Sequence, residues 1–177
     1  MVIAMRRIGL IVTLGALLGM LAGLVTASPA LAGRGHKWEL DQAEPFTLPA
    51  DYCGFQILGT PVAGKEYTKV LKASDGSMTF LSTGVFKISY TNLATGKTIT
   101  ENVSGPAKMT VFPDGSALVA GKGRAGIFLA PADQARFGLP GVFISAGALT
   151  ISFDAAGNIT ALSQNGHVLV DLCAALS

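Results

Sequence analysis

The sequence predicts an all-β domain: an antiparallel meander closed as a β-barrel, with a two-sheet β-sandwich as the alternative, held by one disulfide. Three observations lead there. From Phe46 onward, short runs rich in Val, Ile, Thr and Phe are separated by Gly, Pro, Asn and Asp, the punctuation of strands and turns. No amphipathic run is long enough for a substantial helix. Within the runs polarity alternates: Phe86, Ile88 and Tyr90 share one side while Lys87 and Ser89 share the other, and Leu149, Ile151 and Phe153 repeat this against Thr150 and Ser152. Consecutive hairpins with one apolar face must curl to bury it, and local connections at nearly every step favour a barrel over a Greek key.

Ahead of that domain, residues 1–32 have the form of a secretory signal peptide. Arg6 and Arg7 supply the positive start, an uncharged stretch runs from Ile8 to Ala27, and Ala30-Leu31-Ala32 offers a small-x-small cleavage site after Pro29. Cleavage leaves Gly33 as the mature N-terminus and a secreted protein; the alternative is an uncleaved leader that anchors the chain in a membrane. Residues 33–45 are polar and read as an extended arm, and residues 46–177 as a single domain large enough for its own core. Removing Arg6 and Arg7 from the 13 basic residues leaves the mature chain balanced against its 11 acidic ones. That balance argues against nucleic acid as a partner, because a polyanion needs a basic face. After cleavage nothing points to a membrane.

Two cysteines, Cys53 near the start of the domain and Cys173, the fifth residue counted back from its end, emerge in an oxidising compartment and are expected to pair. The bridge would close a loop of nearly the whole domain, worth about 4 to 5 kcal/mol as an upper figure on the chain-entropy model.

Strands are predicted over 53–59, 66–72, 77–82, 85–91, 98–104, 108–112, 117–121, 126–130, 141–145, 149–154, 159–164 and 168–173. Turns are signalled by Ser74-Asp75-Gly76, Pro113-Asp114-Gly115 and Ala155-Ala156-Gly157-Asn158, each of which supplies a residue that tolerates positive φ. The run from Asn92 to Lys97 is a slightly longer loop of the same kind. Neighbouring strands are therefore expected to pair. Between Pro131 and Pro140, residues 132–137 can form one helical turn stopped by Gly138, a lid if the domain has a mouth.

The residues that could carry chemistry are dispersed. Gly121-Lys122-Gly123-Arg124-Ala125-Gly126 satisfies G-x-G-x-x-G, but a β-type run ended by Pro131 follows it where a dinucleotide site needs a helix; a bend between strands is the better reading. His36 lies in the arm and His167 in what resembles a hairpin loop, and no ligand spacing for a metal is present. Asp75, Asp114 and Asp154 sit in or beside turns, where they cap their own backbone. Glu101 is the carboxylate best placed on a strand. It is expected to face outward opposite Lys87 or Lys108, with a glycosidase-like couple to Glu66 or Asp51 as the catalytic alternative. No catalytic residue, metal or cofactor is assigned.

In order along the chain stand Cys53-Gly54-Phe55, Thr91-Asn92-Leu93 with Thr95-Gly96-Lys97, Asn102-Val103-Ser104-Gly105-Pro106, Pro113-Asp114-Gly115-Ser116, Gly121-x-Gly123-Arg124 and Asp171-Leu172-Cys173-Ala174. With these the chain resembles a group of small secreted actinobacterial proteins to which no activity is assigned. The resemblance implies export, a disulfide joining the two ends of the domain, and an all-β build. It brings no substrate.

The function expected from the residues is non-enzymatic: an extracellular protein that binds an unknown ligand or protein partner. If the barrel interior is hollow, Phe80, Phe86, Tyr90 and Phe153 would line a site for a small apolar ligand. The rival expectation is a small secreted hydrolase or isomerase using a carboxylate such as Glu101, or His167 with Asp171 or Asp154.

Overall fold

The computed structural model describes residues 37–177; the leader, the start of the arm and His36 lie outside them. Ten strands form one antiparallel sheet. In chain order they are β1 (Glu39–Leu40), β2 (Phe46–Leu48), β3 (Ile57–Lys72), β4 (Met78–Asn92), β5 (Thr98–Asn102), β6 (Ala107–Val111), β7 (Ala117–Gly121), β8 (Arg124–Phe128), β9 (Val142–Phe153) and β10 (Ile159–Asp171). A 3-10 turn at Ala50–Tyr52 precedes β3, α1 (Pro131–Phe137) separates β8 from β9, and α2 (Leu172–Leu176) follows β10. The main path across the sheet is β1-β3-β4-β6-β7-β9-β10; β2 also pairs with β3, β5 with β4 and β8 with β9.

This sheet is not closed, which corrects the expected barrel. The outer edge of β3 is taken by β1 and β2, so much of the backbone with which β10 would have to pair is already in use. All ten strands belong to one hydrogen-bonded sheet, so the two-sheet alternative is not what forms either. The two ends of the path are joined covalently instead. Cys53, just ahead of β3, and Cys173, just past β10, form the expected disulfide with Cα atoms 5.1 Å apart.

The second correction concerns strand length. Eight of the predicted strands are halves of four long ones, because the glycines that separate them lie inside hairpins. Gly64 and Gly84 sit in the β3–β4 ladder, and Gly147 pairs with Gly166 in the β9–β10 ladder. A methyl group at Gly64 would overlap the Val85 carbonyl, and one at Gly166 the Ala146 carbonyl, so the strands approach there more closely than a side chain permits. The turns are as expected. Residues 73–77, 112–116 and 154–158 share one hydrogen-bond pattern, with Gly76, Gly115 and Gly157 at φ of 88°, 86° and 84°. The helical turn is α1, ended by Gly138 at φ 64°.

Alternation sorts the faces. One row of cross-strand partners runs Val70, Phe80, Met109, Val119, Ile151 and Leu162, and belongs to the first apolar cluster. Phe137 and Leu139, on and after α1, pack against it. The parallel row on the other face, beginning Lys69, Leu81 and Lys108, is solvent-facing or half-buried. A second cluster gathers Leu48, Ile57, Ile88 and Tyr90 with Val142, Ile144, Leu172 and Leu176, next to the disulfide. Phe128 in β8 belongs to the second cluster and its neighbour Ile127 to the first, both fully buried, so the end of β8 is buried on both faces.

Candidate functional site

The arm that covers the edge of β3 does not follow it throughout. β1 pairs at Tyr67 and Thr68, and β2 pairs at Ile57 to Gly59. Between them Pro61 has no N–H to offer a neighbour, and a bulge between Pro61 and Ala63 bends the strand. The arm therefore bows away, leaving an open cleft of about 320 Å³. Asp41, Gln42 and Ala43 form one wall; the β3 segment from Pro61 to Gly64, Glu66, and Phe86 of β4 form the rest.

Glu66 faces inward because it alternates with Thr68 and Val70, while Lys65, Tyr67 and Lys69 belong to the other side. It is 8% exposed. Its Oε2 is buried without a hydrogen-bond partner among the described residues. Burial, reinforced by the nearby charge of Asp41, pushes its carboxyl up to about 7. Asp41 is placed by its backbone N–H, which donates to the Glu66 carbonyl at 2.8 Å. Its Oδ2 lies 3.5 Å from the Thr68 hydroxyl, and Thr68 in turn is 3.4 Å from the Ser82 hydroxyl. Burial also raises the Asp41 carboxyl, against the opposing effect of hydrogen bonds from the Gln42 backbone N–H and the Thr68 hydroxyl. Two carboxyl groups thus share a small cleft with Gln42 and with the apolar side chains of Ala43, Pro61, Val62, Ala63 and Phe86.

The other singled-out residues fall elsewhere. Phe80 and Phe153 belong to the first cluster and Phe86 and Tyr90 to the second; of the four, only Phe86 also lines the cleft. Glu101 does not stand opposite Lys87 or Lys108: its cross-strand partner is Ile88, which places it on the inner side at the β5 edge. Asp51 is exposed in the 3-10 turn. His167 is not in a hairpin loop but within β10, exposed and paired with Ala146. Asp171 caps α2 by accepting from the Ala174 N–H at 3.0 Å. Asp154 accepts from the backbone N–H groups of Ala156 and Asn158 at 2.9 Å, and Asp75 and Asp114 close their turns in the same way. The glycine-rich run from Gly121 is a bend between β7 and β8, with Lys122 and Arg124 exposed. Among the described residues no three His, Cys, Asp or Glu side chains are grouped to hold a metal ion, and no helix is long and apolar enough to cross a membrane.

Sequence reasoning found Glu66 only as a conceivable partner of Glu101, and it did not find Asp41. The signal for Glu66 was its parity with Val70. No protein-family model, curated protein or solved structure matches the chain.

Proposed function

We propose that the chain is an exported, non-enzymatic binding protein and that the cleft under the arm is its ligand site. One observation carries the reading: Glu66 is a buried carboxyl with an oxygen left unpartnered, and buried polar atoms are otherwise almost always hydrogen-bonded. A ligand donor supplies the missing partner. The leader motif and the disulfide support export. The hollow-barrel version of ligand binding falls with the barrel, and the site moves from the interior to the sheet edge.

The hydrolase reading has less support. Glu101, the carboxylate it relied on first, lies outside the lining of the cleft. His167, Asp171 and Asp154 lie outside the lining of the cleft.

Backbone amide spectra of the protein titrated with a fragment set of amines, alcohols, carboxylates and small aromatics test the assignment. Shifts concentrated at Gln42, Ala43, Gly64, Glu66 and Phe86 are the expected result. Shifts confined to other parts of the sheet, or none at millimolar fragment, would refute it.

A further inference from the structure

The cleft combines features that narrow its ligand to one chemical class. Asp41 and Glu66 line it, and among the described residues no basic side chain does. The charge that acts on Glu66 has the same sign as its own, that of Asp41. From the arm come Asp41 and, two residues earlier on the same side, exposed Glu39, whose register partner is Thr68. From β4 come Ser82, Gly84 and Phe86, none of which titrates. On β3 itself, Lys65 and Lys69 alternate to the opposite face. Pro61, Val62, Ala63 and Phe86 set apolar side chains beside Gln42 and the two carboxyls, and Phe86 adds an aromatic ring, which attracts cations. The volume of about 320 Å³ is at the small end of ligand sites.

Resting on the binding reading above, we propose that the cleft captures the ammonium head of an alkylamine, with ionised Glu66 and Asp41 as its counter-charges and Phe86 and Pro61 against its carbon chain. The head donates the hydrogen bond that Glu66 Oε2 lacks. Capture is proton-linked, because the empty site holds Glu66 partly protonated near neutral pH, and a bound cation favours the ionised form. The proton leaves to solvent as the ammonium enters. Affinity is therefore full above pH about 7 and declines as pH falls through that value. The same head group exists on free alkylamines and on lysine side chains of other proteins, and both sources present the same chemistry to the cleft.

The test is calorimetric titration of the intact protein with n-butylammonium, n-butanol, butyrate, calcium chloride and Nα-acetyl-lysine methylamide, between pH 5 and 8. Butylammonium is expected to bind at least tenfold more tightly than butanol at pH 8. Its affinity should fall up to tenfold per pH unit below 7, with proton release visible as a dependence of heat on buffer. Glu66→Gln should remove that pH dependence and most of the affinity. Asp41→Asn, at a half-buried position that does not threaten folding, should weaken binding and move the pH midpoint downward. Tighter binding of the lysine derivative than of butylammonium identifies a protein-borne ammonium, and the reverse a free amine; either supports the proposal. Butanol binding as tightly as butylammonium, calcium binding more tightly through the same carboxyls, or an unchanged Glu66→Gln profile overturns the ammonium assignment while leaving a ligand site in place. If no probe binds, the binding reading falls with it.

Discussion

The two long hairpins, β3–β4 and β9–β10, are built alike and finished differently. In each, glycines sit mid-ladder, and the inner strand is flanked on its far side by two short strands: β5 and β6 on β4, β7 and β8 on β9. The short strands part near the glycine kink, at 83–86 in β4 and 147–148 in β9. The outer strands differ. β3 is covered by the arm and has an acidic group beneath it, whereas β10 has no strand on its outer side among the described residues. Each also turns a buried polar group inward: Glu66 on β3, and on β10 Gln164, whose Nε2 has no partner among the described residues. A neutral amide outside the cleft has nothing to titrate. Common architecture thus makes the sheet, and the arm makes the difference that can become a site.

The shared feature is the one whose loss costs most. Gly64→Val and Gly166→Val each force a side chain into the facing backbone carbonyl, and each should cost about 4 kcal/mol or more, enough to abolish folding of a marginal domain. Gly96→Ala, at φ 75° with open space around it, should cost only about 1 kcal/mol. Denaturant unfolding of the three variants checks this. Equal effects at Gly96 and Gly64 would mean that the kinks are ordinary turns.

That contrast also explains what was legible in the sequence. Gly76, Gly115 and Gly157 were correctly placed in turns because an Asp and a glycine within five residues determine a hairpin locally. Gly64, Gly84, Gly147 and Gly166 look the same in the chain. Their role depends on a strand many residues away, and so four strands were read as eight. The disulfide was legible because only one pairing exists, and α1 because Gly138 stops it. Closure was not, since the arm's claim on the β3 edge is a matter of register between distant segments. The cleft was half legible: alternation with Val70 turns Glu66 inward, but nothing local says that Asp41 meets it.

The disulfide ties the two hairpins together, from the start of the covered one to the end of the bare one. Replacing Cys53 and Cys173 by alanine should lower stability by about 3 to 4 kcal/mol and the thermal midpoint by about 10 °C. Calorimetry gives both. A loss below about 1 kcal/mol would show that the second apolar cluster holds the two ends together without the bond.

Glu66 distinguishes the hairpins by pH. Its folded value of about 7 lies above the ordinary 4.5, so between those values the folded chain keeps a proton that the unfolded chain has lost. The group's contribution is therefore most favourable below pH about 4.5, is lost as pH rises to about 7, and stays constant above. With screening through the open mouth, the loss should be about 1 to 3 kcal/mol. Glu66→Gln should flatten this part of the stability profile and be more stable than the parent at pH 8. Urea midpoints at pH 5 and pH 8 decide it, and an unaltered slope would mean that Glu66 stays ionised and solvated.

The bare hairpin has one brace of its own. Arg136, at the end of α1, donates to the carbonyls of Ile159 and Thr160 at 2.7 Å each, and its guanidinium lies 4.9 Å from the Phe137 ring. These oxygens flank the bulge that opens β10, so the arginine replaces there the strand that β3 has and β10 lacks. Because the side chain is exposed, Arg136→Ala should cost only about 1 kcal/mol. The loss should be local: hydrogen exchange should accelerate at the start of β10 and in α1 while β3 and β4 keep their protection. If protection fell equally in both hairpins, the brace would be supporting the whole sheet, and the hairpins would be less independent than their matching construction suggests.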